Sequence, residues 1–238
     1  MFATETVQAY CTQHLSSSRN MQFKIASLAL ALSICSAVVA IAIPDTDAVL
    51  SKRDEQNDVT TRVCRNTTLL FARGTSELTN MGGSVGPALA TALRARLGAS
   101  NVAVQGIDYP ADVAGAVTGA LSPATALGSI DCDNKIGTLL SYCPSTRIVI
   151  AGYSQGAEQV HGCLLRITQT EANSVRAAVT FGDPLQYTGF SKISSSRGKV
   201  FCNLGDLVCA GQFIIAPAHL IYTVTSIGPA VDFIAGVN

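Results

Sequence analysis

Residues 147–157, Arg-Ile-Val-Ile-Ala-Gly-Tyr-Ser-Gln-Gly-Ala, hold the turn on which the fold reading rests. Arg147 to Ala151 is a short, nearly unbroken apolar run, and a helical stretch, Ala157 to Ile167, follows at once. Between them Gly152, Tyr153, Ser154, Gln155 and Gly156 form G-x-S-x-G, a strand-to-helix turn in its expected context. So abrupt a turn drives its central residue into a crowded backbone conformation, and the flanking glycines let neighbouring backbone approach without a Cβ. Ser154 is thereby held exposed at the carboxyl end of its strand. The Gln155 amide, opening the helix, faces the space above the hydroxyl with the positive end of the helix dipole behind it. The alternative, an ordinary serine in a Gly-rich turn, leaves the strand and helix on its two sides unexplained.

Outward from this turn, β-branched runs alternate with Ala/Leu-rich stretches. Thr68 to Ala72, Val102 to Ile107, Ala177 to Phe181 and Lys199 to Asn203 read as further strands. Pro87 to Leu97, with Gly98 just beyond its end, Lys135 to Tyr142 and a segment near the carboxyl end read as helices. Most of the strands are continuous rather than alternating apolar runs, as expected where helices cover both sheet faces. The expectation is a three-layer α/β/α sandwich with a mainly parallel central sheet.

Composition narrows the class. The 238 residues carry 16 Lys+Arg against 16 Asp+Glu, are 13% charged and 48% hydrophobic, and lack Trp. A polyanion-binding surface is excluded, and nucleic acid with it. Eight cysteines point to an oxidising compartment. Lys24 followed by the apolar run Ile25 to Ile43 reads as a secretory signal, with Ala40 and Ala42 at the small-residue spacing that suits cleavage before Ile43. An uncleaved anchor is the rival, disfavoured by the short Ala and Ser side chains and by Pro44. Residues 1–42 are therefore assigned to an amino-terminal extension and signal peptide. Residues 43–53, ending in the dibasic Lys52-Arg53, form a possible propeptide, and 54–238 form one domain of roughly 185 residues. The expected location is extracellular, with no stable membrane insertion.

A serine nucleophile needs a base, and two histidines lie in the domain. His161, seven residues after Ser154 on the same helix, stands about 10 Å along the axis and out of reach, as a helix-face residue. His219, well downstream beyond the apolar stretch Phe213 to Ala218, is assigned as general base. For the orienting acid, Glu158 and Glu171 are set aside because neither is expected near the mouth of the sheet. Asp183, after the strand ending at Phe181, remains a competitor. Asp206 is preferred because it lies between Cys202 and Cys209, where a short disulfide loop would fix its carboxylate.

With these residues in hand, the chain from Cys64 onward resembles the fungal cutinase family of serine esterases. The matching segments are Phe71 to Glu77 (F-A-R-G-T-S-E), Ser141 to Pro144 leading into Gly152 to Ala157, Phe201 to Cys209, and Ala216 to Leu220 (A-P-A-H-L). The resemblance implies a small lidless α/β-hydrolase with Ser154, Asp206 and His219 as its triad. It places a second oxyanion donor at Thr75, beside the Gln155 amide, where Ser is the common residue; the β-branch of threonine stiffens that hydroxyl. It pairs Cys64 with Cys143 and Cys202 with Cys209, leaving Cys132 and Cys163 for each other or as buried free thiols. The implied activity is hydrolysis of lipophilic polyesters such as cutin and of short acyl esters by a monomer, with no cofactor or metal. The alternatives are an acetylxylan esterase, disfavoured by the few aromatic platforms available for sugars, and a secreted wall-binding protein whose hydrolase site is vestigial.

Overall fold

The computed structural model describes residues 55–237; the expected signal peptide, propeptide and their cleavage sites lie outside them. Five strands form one sheet: β1 (Thr67–Ala72), β2 (Val102–Gly106), β3 (Arg147–Tyr153), β4 (Val175–Phe181) and β5 (Gly198–Phe201). Their order is β2-β1-β3-β4-β5, and every neighbouring pair is parallel. Parallel strands require crossovers. These are supplied by α1 (Val85–Leu97), α2 (Val113–Leu121), α3 (Leu127–Tyr142), α4 (Gln155–Arg166) and α5 (Gln169–Ser174), and α6 (Tyr222–Thr225) and α7 (Ile227–Val237) close the chain.

The period of two along each strand sorts the core into two layers. Leu69, Phe71, Val149, Ala151, Ala177, Val179 and Phe181 pack with residues of α1 and α7 such as Leu89, Leu93, Ala230 and Ile234. The intervening Leu70, Ala72, Ile148, Ile150 and Ala178 pack with Ile136, Leu139, Val160 and Leu164 of α3 and α4. Both faces are thus covered, which explains the unbroken apolar runs.

Two helices differ from the sequence expectation. α3 begins eight residues before Lys135, because its first half is polar: Asp131 and Lys135 pair at 2.7 Å across one turn, and Lys135 also reaches Asp108 at 2.7 Å. α2 has no apolar inward stripe at all. It turns Ala116 and Gly119 inward and leaves Val113, Val117 and Leu121 exposed, with Asp112 capping its start through a 2.6 Å bond from the Gly115 amide.

Among the described residues three disulfides form: Cys64–Cys143, Cys132–Cys163, which joins α3 to α4, and Cys202–Cys209. The first closes 79 residues, a loop whose constraint in the unfolded chain is worth about 4 kcal/mol on chain-entropy grounds. It joins the segment entering β1 to the end of α3. The third encloses Asp206 in a loop of seven residues.

Candidate active site

Ser154 occupies the turn from β3 to α4 with φ 56° and ψ −121°, a conformation costing a non-glycine residue about 1–3 kcal/mol. The surroundings impose it. A Cβ on Gly152 would lie 2.2 Å from the Gly156 carbonyl oxygen, and one on Gly156 would lie 2.0 Å from that of Ala72. Only glycine fits at either place, so β3, β1 and α4 meet backbone to backbone. The Ser154 amide donates to the Phe181 carbonyl at 2.8 Å, anchoring the turn to β4. At the first helical position, the Gln155 amide has no intrahelical acceptor and is free for an oxyanion.

His219 lies on a single 3₁₀ turn, Pro217–Leu220, and is buried. Its ring stacks on Tyr153 at 5.0 Å between centroids, and the Tyr153 hydroxyl donates to the His219 carbonyl at 2.9 Å. Nδ1 lies 2.8 Å from Asp206 Oδ2. The same carboxylate accepts from the Tyr222 hydroxyl at 2.5 Å and from the Val208 amide at 3.0 Å. Burial pushes the Tyr222 phenol well above its usual range, so it stays a donor. In the tautomer that completes this set of donors, Nδ1–H points to Asp206 Oδ2 beside the Tyr222 hydroxyl, and Nε2 is left as an acceptor. Nε2 is buried without a hydrogen-bond partner. Ser154 and His219 therefore share a cleft without being hydrogen-bonded in this resting arrangement, as is common before substrate tightens such contacts.

The cleft has a volume of about 540 Å³ and is lined by Thr75, Ser154, Gln155 and His219 together with Val208, Phe213, Ile215 and Leu220. Thr75 is held there by the carboxylate of Glu77, which accepts from the Gly74 amide at 2.8 Å, the Ser84 hydroxyl at 2.6 Å and the Gly83 amide at 3.2 Å. Arg73 fixes the same loop from behind by donating to the carbonyls of Glu77 at 2.8 Å and Tyr109 at 2.5 Å. Phe213, Ile214, Ile215 and Leu220 are each more than half exposed, so this run is rim and not core.

The competing carboxyl has partners of its own, and one expectation is corrected. Asp183, the competing acid, is engaged elsewhere: it lies 2.8 Å from His161 Nε2 and accepts from the Thr180 hydroxyl at 2.7 Å and the Leu185 amide at 2.8 Å. His161, expected on the helix face out of reach of Ser154, is buried in this pair and stacked on Phe190 at 4.8 Å. Glu158 was expected to stay away from the mouth of the sheet, yet it lines the cleft one turn beyond Ser154 and is only 1% exposed. Burial, reinforced by the nearby Asp183 carboxylate, pushes its carboxyl up to about 9. The spacing alone gave no warning. An i+4 position that faces a helix of small residues, such as α2, has room for a side chain that would otherwise be turned to solvent.

Gly182 is a further requirement that the sequence reading missed. It has φ 60°, and a Cβ there would lie 2.5 Å from His219 Cε1 and 3.1 Å from Asp206 Oδ2. Gly182→Ala is therefore expected to displace the imidazole and lower ester turnover by at least tenfold while leaving a folded protein; unchanged turnover in a rate assay contradicts this seat. Glu158 gives a second expectation. Its folded-state carboxyl titrates near 9 against 4.5 for the free group. The unfolded chain therefore releases this proton first, and the native state loses stability as pH climbs from about 4.5 to 9. Glu158→Gln, neutral throughout, should match the parent melting temperature near pH 4 and exceed it increasingly toward pH 9. A pH-independent difference contradicts the assignment.

Residues 63–237 match the sequence profile of the cutinase family. A cutinase of Pyricularia oryzae is 40% identical over 218 residues, covering 90% of this chain and 99% of that protein. Cutinase 3 of Emericella nidulans is 36% identical, covering 87% of this chain and 95% of the relative. Among solved structures, Trichoderma reesei cutinase in complex with a phosphonate inhibitor superposes with a TM-score of 0.68 at 30% identity, covering 87% of this chain and 96% of that one. The catalytic core of the Trichoderma reesei acetyl xylan esterase superposes at 0.56 with 24% identity, covering 74% of this chain and 100% of that one, a likeness of fold alone. The chain belongs to the cutinase family and is a carboxylic ester hydrolase of α/β-hydrolase fold.

Proposed function

We propose that Ser154, His219 and Asp206 form the catalytic triad of a secreted, monomeric esterase acting on lipophilic polyesters such as cutin and on short acyl esters. Ser154 Oγ attacks the ester carbonyl while His219 Nε2 takes its proton and later delivers it to the leaving alcohol. Asp206 holds the ring in the required tautomer and stabilises the imidazolium formed on the way. The Gln155 amide and Thr75 receive the developing oxyanion, and each well-placed donor is worth roughly 3 kcal/mol in the transition state. Water then attacks the acyl-enzyme by the same route in reverse.

The observation that carries this reading is the orphaned acceptor at Nε2, held by Asp206 and Tyr153 in the cleft that contains Ser154. The lipophilic substrate class is supported by the two apolar rims. One is Phe213 to Ile215 with Leu220, and the other is Val113 at the start of α2, which lines the cleft and continues along that helix into the exposed Val117 and Leu121. Exposed apolar side chains beside the cleft suit an acyl polymer better than a carbohydrate. Secretion is supported by the expected signal sequence and the disulfides; no helix among the described residues is long and apolar enough to cross a membrane.

Initial rates on butyrate, palmitate and acetylated xylan test the reading, with Ser154→Ala as control. The acyl esters should be turned over in preference to acetylated xylan, and Ser154→Ala should remain folded while losing about six orders of magnitude in kcat. A preference for acetylated xylan, or an active Ser154→Ala variant, contradicts it.

A further inference from the structure

One motif of the chain has no part in the esterase site. Asn66-Thr67-Thr68 is an Asn-x-Thr triplet whose middle residue is not proline, and no second Asn-x-Ser or Asn-x-Thr occurs in the 238 residues. Asn66 is exposed on the bend that enters β1. Its carbonyl accepts from the Arg147 amide at 2.9 Å, which sets it level with the first residue of β3. Its side-chain amide donates to Asn101 Oδ1 at 3.3 Å, an exposed bond between two surface side chains. The seven residues of β3 lie between that level and Ser154, so about 20 Å of strand separates Asn66 from the cleft.

We propose that Asn66 is an N-glycosylation site, modified before β1 pairs with β3, whose glycan stands at the end of the sheet away from the cleft. The proposal rests on secretion of the chain and is independent of the esterase reading. The donor is a polyprenyl-pyrophosphate-linked oligosaccharide of the secretory pathway. Asn66 Nδ2 attacks C1 of its terminal N-acetylglucosamine: the N–C1 bond forms, the bond from C1 to the phosphate oxygen breaks, one amide proton passes to a base of the transferase, and the polyprenyl pyrophosphate leaves. The linked nitrogen keeps one N–H, and a bulky, solvated group suits an exposed bend. The fold also sets the order of events. The Thr68 hydroxyl, the third element of the acceptor triplet, is fully buried and shares a 2.9 Å hydrogen bond with Thr146 Oγ1. Cys64, just ahead of Asn66, is tied to Cys143 across 79 residues. In the finished sheet the asparagine is open to solvent but its threonine is not, so transfer belongs to the interval before the distant segment arrives.

The test expresses the full chain in a yeast host and maps the protein in the medium before and after treatment with peptide N-glycosidase. The mass should fall on treatment, and the peptide carrying residue 66 should then read Asp there, because the enzyme hydrolyses the linkage amide. Asn66→Gln should lose the mass shift and keep the parent's ester turnover, whereas Thr68→Ser, which retains the hydroxyl, should keep the shift. Protein folded without glycan in a bacterial periplasm, then incubated with the transferase and its lipid-linked donor, should stay unmodified; modification there overturns the order of events. Secreted protein with no mass change, or a change that persists in Asn66→Gln, overturns the site, and the parent map decides this even if a variant fails to fold. Loss of turnover in Asn66→Gln overturns the placement of the glycan clear of the cleft. Retention of the chain inside the cell without modification defeats the secretory reading and the site with it, and leaves the esterase reading standing.

Discussion

The close meeting of backbones at the end of β3 is the constraint on which the rest depends. With no side chain at Gly152 or Gly156, the carbonyls of Ala72 and Gly156 come within 2.0–2.2 Å of where Cβ atoms would stand. Ser154 between them is held at φ 56°. The strain is sustained by the hydrogen bond to Phe181 and by the fully buried strands on either side. From that single crossing follow the height of the hydroxyl above the sheet, the direction of α4, and the position of the Gln155 amide. Glu158 and His161 are then fixed by helical geometry.

Three carboxyl groups in this region show how partners decide chemistry. Asp206 has three donors and orients His219. Asp183 also has three, but they bind it to His161 and the loop after β4, where it holds α4 in place. Glu158 has none and is pushed up to about 9. The same functional group thus serves as orienter, as structural hydrogen-bond partner and as neutral acid, according to what the fold brings within 3 Å of it.

The layered sheet was legible because continuous apolar strands and the G-x-S-x-G turn are local signals. Ser154 and His219 stood out through motif and chain order, Asp206 through its place between two cysteines and Thr75 only through the family resemblance, and the structure brings them to one cleft or its immediate support. What escaped was packing that leaves no periodic trace. α2 buries glycine and alanine, so its apolar residues point the wrong way for a pattern reading. The burial of Glu158 and His161 depends on that helix and on Asp183, far away along the chain. Gly182 is an ordinary loop glycine until His219 is placed against it.

The central claim is that an alcohol, an imidazole and a carboxylate from separate segments act as one unit at this cleft. Peptide mapping of the intact protein after reaction with a tagged fluorophosphonate tests it most directly, because labelling requires the nucleophile, its base and the oxyanion donors together. The account predicts a single adduct, on the peptide containing Ser154, and its loss in His219→Ala. An adduct on another serine, or undiminished labelling without His219, would contradict it.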